Sequence, residues 1–130
     1  MTSLGARLRE HILGRRHTTM TAASPLPATA EFVALAEDVV WTRTWGRQGL
    51  ERSWQSMITI STLAALGHLE ELRLHIAGAL RNGILDADVI GGIILHQLPY
   101  VGFPVASQAL GVLRAVVEQL AAGDDGDVAE

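Results

Sequence analysis

The sequence predicts an all-α protein, a single-domain bundle of about six helices. Apolar residues recur at three- and four-residue steps in several segments, which is the period of one helix face. Leu, Ala, Val and Ile dominate the 48% hydrophobic content and aromatic residues make up only 5%, a balance that favours packed helices. No segment alternates as a half-buried strand would, and 130 residues suit one core.

The N-terminal region is predicted to be a short helix followed by an extended arm. Apolar residues recur every four positions over residues 3–13, and Gly14 follows as a stop signal. Residues 15–28 contain threonines, a serine and two prolines, which favour irregular structure. Residues 1–27 are therefore assigned to an N-terminal helix and arm.

The main helical domain is assigned to residues 28–122 and should begin with a helix over residues 28–42. Its expected inward side chains are Phe32, Leu35, Val39 and Val40. Its exit, residues 41–50, carries two tryptophans and two arginines in a glycine-broken loop. Loops that hold such residues are usually built to contact another molecule or subunit.

Two long helices should follow as a hairpin, over residues 51–66 and 69–81. Gly67 and the pair Asn82-Gly83 stand where left-handed C-terminal caps are expected.

The last two helices are separated by proline and glycine. Asp86 is a suitable N-cap for a helix over residues 87–98. Pro99 lacks an amide donor and clashes with the carbonyl four residues earlier, so that helix should kink or stop there. A turn at residues 102–104 starts the final helix, and the acidic residues 123–130 are expected to be a disordered tail.

Missing residue types exclude several functions. The chain has no cysteine, which excludes disulfides, thiolate metal sites and thiol peroxidase chemistry. All ten basic residues are arginine, so no lysine is present to form a Schiff base. The net charge of -4 and the lack of a basic stripe argue against nucleic acid as a partner.

The remaining composition bears on location and assembly. No apolar run reaches the ~20 residues of a membrane span, and no apolar signal core is present, so a cytoplasmic protein is expected. Charged residues make up only 18% of the chain, which is low for a monomer of this size. We therefore expect a homo-oligomer that buries apolar surface between subunits.

A polar line borders the apolar stripe of the helix over residues 69–81. At helical spacing it contains His68, Glu71, His75 and Asn82. A polar line next to a core stripe suggests the wall of a pocket.

Several short motifs, in their order and spacing, resemble the carboxymuconolactone decarboxylase family of the wider alkylhydroperoxidase-like helical fold. They are L-G-R-R-H at residues 13–17, W-G-R-Q-G-L at 45–50, S-M-I-T-I at 56–60, E-E-L-R-L-H at 70–75, R-N-G-I at 81–84 and Y-V-G-F-P-V-A at 100–106. The resemblance covers nearly the whole chain before the acidic tail.

The resemblance implies a helical subunit in a ring, commonly a hexamer or trimer, with the active site on the E-E-L-R-L-H helix. It also implies a small-molecule substrate and cofactor-independent lyase chemistry. The thiol peroxidase branch carries two cysteines where this chain has His68 and Glu71.

Two positions depart from the family pattern. Gln55 stands before Ser56 where the family typically has arginine, and a neutral amide cannot replace the charged fork that grips a carboxylate. Pro99 stands where the family usually continues its helix. Both changes suggest a pocket adapted to a different molecule.

His75 is the candidate catalytic acid or base, because small environmental shifts set its protonation near neutral pH. Glu71, one turn earlier, would hold the imidazole in one tautomer. The alternative is a core histidine bonded to a backbone carbonyl beside a solvated glutamate. With His68 these residues form no recognised metal-binding motif, so no metal is predicted.

The candidate substrate-binding residues each have a structural alternative. His96 and Tyr100 would face the pocket, or His96 would bond a carbonyl freed at the proline. Arg47 and Trp45 would bind a carboxylate and a ring, or would stack on a neighbouring subunit. The remaining candidates are Gln55, Ser56 and His17, the last of which reaches a site only if the arm wraps inward or onto another subunit.

Three functions remain open at this point. The first is decarboxylation of a small carboxylated lactone or related cyclic substrate. The second is another acid/base step, such as isomerisation, dehydration or cyclisation, in specialised polyketide-type metabolism. The third is a ligand-binding oligomer without catalysis.

Overall fold

A computed structural model describes residues 2–123, and the all-α class is confirmed because this part of the chain contains helices and no strand. Seven α-helices and a π-helical segment are described, against about six helices predicted. The α-helices are α1 (Leu4–Leu13), α2 (Arg15–Ala22), α3 (Pro27–Ala36), α4 (Arg52–Leu66), α5 (Leu69–Arg81), α6 (Ala87–Val101) and α7 (Phe103–Ala121), and the π-helix spans Glu37–Trp45. Residues 124–130 of the tail expected to be disordered lie outside the described residues.

The described residues form two compact units, residues 2–50 and residues 51–123. The first holds α1 to α3 and the π-helix, and the second holds α4 to α7. The predicted domain limits, at residues 27/28 and 122/123, stay a prediction.

Helix α2 corrects the extended arm predicted for residues 15–28. Gly14 ends α1, as predicted, and its φ of 93° lets the chain turn directly into α2. The threonines that suggested irregular structure donate their hydroxyls to helix carbonyls, Thr18 to Arg15 and Thr21 to His17, at 2.9 Å each. Both prolines lie after α2, so they do not interrupt it.

The π-helix extends the helix predicted for residues 28–42 and replaces the first part of the predicted loop. Its wider winding is visible in bonds that span five residues: the amide of Gly46 donates to the Trp41 carbonyl at 2.9 Å, and the Thr44 hydroxyl donates to the Val39 carbonyl at 2.8 Å. The regular 3.6-residue period used in the prediction therefore does not hold through this segment.

The side chains expected to point inward from this helix are exposed in the chain. These side chains are Val40, Val39, Leu35 and Phe32, and their relative exposures run from 40% to 70%. Trp41 and Trp45 are buried instead, with ring centroids 5.3 Å apart. Val39 and Val40 lie in the π-helix, where the change of winding at Glu37 shifts the buried face away from the α-helical spacing. Phe32 and Leu35 precede that change, on α3, which has no buried residue.

Helix α1 packs closely on the π-helix. Gly5 is buried, and a Cβ there would collide with the Glu37 carbonyl oxygen and the Thr42 hydroxyl. Arg9, buried in the same unit, lies 3.5 Å from the Glu37 carboxylate. A glycine is required at this crossing because no side chain fits.

The second unit is built around α5, which packs against α4 and α7. Helices α4 and α5 form the predicted hairpin around Gly67, whose φ of 74° is left-handed. Asp86 caps α6 as predicted, accepting from the Val89 amide at 2.8 Å. The core combines residues from all four helices, among them Ile60, Leu72, Ile76, Ile90, Ile94, Ala109 and Val116.

The helix was predicted to kink or stop at Pro99. The stop is wrong, because Pro99 lies inside α6, which continues to Val101. Gly102, with a φ of 89°, ends α6 and begins α7. A proline in the last turn leaves only the Leu95 carbonyl without its usual amide donor, and Leu95 is exposed, so water can hydrate that carbonyl. None of the helices in residues 2–123 combines the length and apolar character needed to cross a membrane.

Candidate active site

Three polar side chains are buried in the second unit, and all three lie on the α4–α5 hairpin. Gln55 and Ser56 are on α4 and His75 is on α5, with exposures of 8%, 3% and 8%. Burying polar groups costs free energy unless they are hydrogen-bonded. Within residues 2–123, no buried side-chain nitrogen or oxygen lacks a partner.

The helical spacing explains why these polar residues are buried. Ser56 continues the buried stripe of Ile60 and Ala64 at steps of four, and His75 lies between Leu72 and Ala79 on the broad buried face of α5. Ser56 is eleven residues before the hairpin glycine and His75 eight after it. At about 1.5 Å per residue they stand about 16 and 12 Å from the turn along two paired helices.

Burial changes the chemistry of His75. Removal of the imidazole from water disfavours its charged form and lowers the pKa of His75 to about 4. At neutral pH the ring is therefore uncharged, with one nitrogen that accepts a proton and one N–H that donates a hydrogen bond. In this state the ring can accept a proton, and a nearby anion would favour its protonation.

Gln55 is held by an arginine one turn earlier. The Nη1 of half-buried Arg52 donates a hydrogen bond to the Gln55 Oε1 at 2.7 Å. This contact fixes the carbonyl side of the amide toward Arg52 and directs its NH2 group the other way. No role was predicted for Arg52, although its spacing of three residues from Gln55 is a signal for this contact.

Glu71 and His68, two other members of the polar line, are exposed. Arg73 is bonded through its Nε to Glu70 at 3.1 Å, and this bond, with the nearby charges of Glu70 and Glu71, raises the pKa of Arg73. The role of Glu71 in orienting His75 stays a prediction.

His96 and Tyr100 lie together on α6, with ring centroids 6.1 Å apart, and both are exposed. His96 lines an open groove of about 630 Å³ between α4 and α6. The groove is mainly apolar, with Ser61, Thr62 and Gln97 as its other polar residues. Gln97 is fixed there by donating to the Ser61 carbonyl at 2.8 Å. His75 does not line this groove.

The remaining candidates lie in the first unit. Trp45 is buried against Trp41, Arg47 is exposed after the π-helix, and His17 is half-buried on α2. The side chain of Trp45 therefore already has an aromatic partner within its own unit. Their predicted roles in substrate binding stay predictions.

Other features of the second unit are less suited to chemistry. An open groove of about 580 Å³ between α6 and α7 is lined mostly by apolar side chains, with Ser107 and Arg114 as polar members. In the described part of the chain, no three His, Asp or Glu side chains are grouped so that they could hold a metal ion.

The chain is similar in sequence to known proteins over most of its length. The model of the carboxymuconolactone decarboxylase family matches residues 28–115. A 4-carboxymuconolactone decarboxylase of Acinetobacter baylyi is 30% identical over 116 residues, covering 89% of this chain and 86% of that protein. A nitrosuccinic acid decarboxylase of Metarhizium robertsii is 27% identical over 116 residues, covering 89% of this chain and 80% of that protein.

No solved structure matches the chain. The family match spans the π-helix, the α4–α5 hairpin with its buried polar residues, and most of α7. The chain therefore belongs to the carboxymuconolactone decarboxylase family, a family of carboxy-lyase-like enzymes.

Proposed function

We propose that this protein is a cofactor-independent decarboxylase of a small carboxylated lactone or a related carboxylic acid, with His75 as its proton-transfer residue. The observation that carries the proposal is the buried, uncharged imidazole of His75 beside the helix that buries Gln55 and Ser56. Two relatives with decarboxylase activity in their names support the reaction type.

Decarboxylation breaks the bond between a carbon atom and its carboxylate, releasing CO2 and leaving an electron pair on that carbon. A conjugated carbonyl or nitro group of the substrate accepts the electron pair, so the protein needs no electron-accepting cofactor of its own. The carbon then takes one proton, and the net reaction consumes one proton for each CO2 released.

His75 suits the proton step once the substrate is bound. The negative charge of the substrate favours the imidazolium form, which the buried site disfavours when it is empty. The imidazolium then gives its proton to the carbanion and returns to the neutral form. Burial also separates the carboxylate from water, which disfavours the solvated anion relative to the delocalised transition state.

The test is turnover by a His75→Gln variant. Glutamine retains hydrogen-bonding capacity but cannot transfer a proton, so the rate of CO2 release from 4-carboxymuconolactone or nitrosuccinate should fall by about 10²- to 10⁴-fold. His68→Gln, an exposed change on the same helix segment, is the matched control. Unchanged turnover in a correctly assembled His75→Gln protein would refute the assignment.

A second candidate is favoured by the lowered pKa of His75. A neutral imidazole at working pH is ready to remove a proton from a carbon next to a carbonyl, as isomerisation, dehydration or cyclisation requires. In that case the proton moves to another atom of the same substrate and no CO2 is released. Exchange of substrate hydrogen with deuterium from heavy water, without CO2 release, would support this candidate over decarboxylation.

We further propose that the protein works as a homo-oligomer, in the hexameric or trimeric ring expected from the resemblance. Large apolar side chains are exposed on both units, and such surface is usually covered by a partner. They include Phe32, Leu35, Val39, Trp54, Ile58 and Phe103. Light scattering during size-exclusion chromatography gives the mass directly, and a monomer of 13.9 kDa would contradict the proposal. A stable oligomer that binds succinate without any turnover would instead favour the non-catalytic function.

A further inference from the structure

We propose that α3 of one copy of this protein packs into the groove between α6 and α7 of a second copy, with Glu31 of α3 paired to Arg114 of the groove. The inference rests on the proposed assembly of identical subunits and identifies two surfaces that meet in it. It also explains α3, a helix that buries none of its residues within its own chain.

Helix α3 has one face for its own unit and one face without cover. It contacts α2 and the π-helix, and Val33 is among its half-buried residues. A different face repeats at helical spacing and is exposed, and its residues are Ala28, Glu31, Phe32 and Leu35. This is the i, i+3, i+4, i+7 pattern by which a helix binds in a groove. A helix of ten residues is marginal in water by itself, so packing of this face would stabilise it.

The groove between α6 and α7 has the length and character that α3 requires. It has a volume of about 580 Å³, is lined mainly by apolar side chains and extends along α7 from Phe103 to Arg114. That distance is about 16 Å along the helix, and the ten residues of α3 span about 15 Å. Gly111 lines the groove near Arg114, and the space around its Cβ position is open. A helix of this length can therefore lie along the groove.

The two surfaces carry complementary charges. Glu31 is the one charged residue in α3, and Arg114 is the one charged residue among the described residues that line the groove. Both side chains are exposed, and within residues 2–123 neither takes part in an ion pair. An exposed ion pair adds little binding energy, but it selects the partner and fixes the register of the contact.

The position of the charges also sets the direction of α3. Arg114 lies at the C-terminal end of the groove, so the residues after Glu31 enter it only if α3 runs antiparallel to α7. Leu35, four residues after Glu31, then lies about 6 Å further along the groove. The same distance back from Arg114 reaches Leu110, an apolar residue of the groove. Apolar side chains thus meet apolar side chains when the two charges pair.

The contact joins two different surfaces of the same chain, so it is heterologous. Each copy offers α3 to one neighbour and its groove to another. Repeated contacts of this kind generate a ring when the rotation between copies closes, whereas a contact between identical surfaces gives a two-fold dimer. The contact is therefore of the type that a ring of subunits needs.

Charge reversal tests the pairing of Glu31 with Arg114. Glu31→Arg and Arg114→Glu each bring like charges together, so each should raise the protein concentration at which the oligomer dissociates by about tenfold or more. The double variant restores opposite charges and should dissociate within about threefold of the wild type. Arg16→Glu reverses an exposed charge on α2 and, as the matched control, should change this concentration less than about twofold. Light scattering during size-exclusion chromatography of a dilution series gives the mass at each concentration.

The absence of cysteine allows a direct test of which surfaces meet. When Glu31→Cys and Arg114→Cys copies are co-expressed, a short bis-maleimide should link them into dimers on a denaturing gel. Each variant expressed alone should give little of this product. Arg16→Cys co-expressed with Arg114→Cys is the matched control and should also give little.

The outcomes distinguish this contact from the assembly itself. An oligomer that dissociates equally in the wild type and both charge-reversed variants, and gives no cross-linked dimer, would overturn the contact and leave the assembly intact. Cross-linking confined to single chains in the Glu31→Cys/Arg114→Cys double variant would also overturn it, because α3 would then pack in its own groove. A wild type that is monomeric at every concentration would overturn both the contact and the assembly.

Discussion

Acid should destabilise the folded protein through His75. Burial lowers the pKa of His75 from 6.5 to about 4, whereas the unfolded chain keeps the ordinary value. Between these two pH values the unfolded state binds more protons than the folded state. The free energy of unfolding therefore falls as the pH drops below about 6.5, and the loss is complete below about 4.

The size of this effect follows from the two pKa values. Going from pH 8 to pH 5 should lower the free energy of unfolding by about 2 kcal/mol through His75 alone, and the low-pH limit is about 3 kcal/mol. This is a large fraction of the stability of an ordinary domain, which is about 5–15 kcal/mol. Acid should therefore lower the midpoint of urea unfolding measurably.

Urea unfolding followed by circular dichroism, at pH 8 and pH 5 and at one protein concentration, measures the effect. For each protein, the free energy of unfolding at pH 5 is compared with that at pH 8, so any effect of the substitution that does not depend on pH cancels. His75→Gln should lose about 2 kcal/mol less than the wild type between the two pH values. His68→Gln, which alters an exposed histidine, should behave as the wild type. Equal losses in the wild type and His75→Gln would refute a depressed pKa at His75.

Three substitutions at glycines test the packing and the caps. Gly5→Ala should destabilise the first unit by about 1–3 kcal/mol, because the new Cβ meets the Glu37 carbonyl oxygen; unchanged thermal unfolding would contradict this close contact. Gly67→Ala should lower the free energy of unfolding by about 1–2 kcal/mol, because the φ of 74° at this position is unfavourable for alanine. Gly111 lies inside α7 with open space around its Cβ position, so Gly111→Ala should raise the free energy of unfolding by about 0.5–1 kcal/mol. If Gly67→Ala and Gly111→Ala changed the free energy of unfolding in urea in the same direction, the assignment of Gly67 as a helix cap would be contradicted.

The second unit was predictable because its helix boundaries depend on local chemistry. Left-handed conformations at Gly67 and Gly83 and the side-chain cap of Asp86 follow from single residue types at helix ends. The limits of α5, Leu69–Arg81, were predicted to the residue. Pro99 was the exception, because a proline in the last turn of a helix removes few hydrogen bonds.

The first unit was less predictable because its features depend on local hydrogen bonds that residue type alone does not reveal. The threonines of α2 are compatible with a helix once their hydroxyls bond to its own carbonyls, and composition alone does not reveal those bonds. The inward face predicted for residues 28–42 was wrong for a different reason. A π-helix has no compositional signature, so periodicity continued past Glu37 gives the wrong buried residues in that segment, and α3 before it has no buried residue.

The candidate site was partly visible in the sequence. His75 was identified from its position beside an apolar stripe, and its burial explains why its pKa is lowered. The departure at Gln55 was also visible, but not that Arg52 lies within hydrogen-bonding distance of it. The three-residue spacing permits that contact, but its formation depends on the rotamers of both side chains, which a residue pattern does not specify.

The π-helix has a consequence for how the length of this segment can vary. Each of its hydrogen bonds encloses one residue more than an α-helical bond. Loss of a single residue between Glu37 and Trp45 would therefore leave a continuous α-helix, not a broken chain. Because one residue corresponds to about 100° of helical rotation, the same deletion would turn the exposed apolar side of α3, with Phe32 and Leu35, toward a new direction. In homologous chains, an insertion or deletion between Glu37 and Trp45 would change the direction in which the apolar side of α3 faces. Trp41 and Trp45 would still lie in a helix.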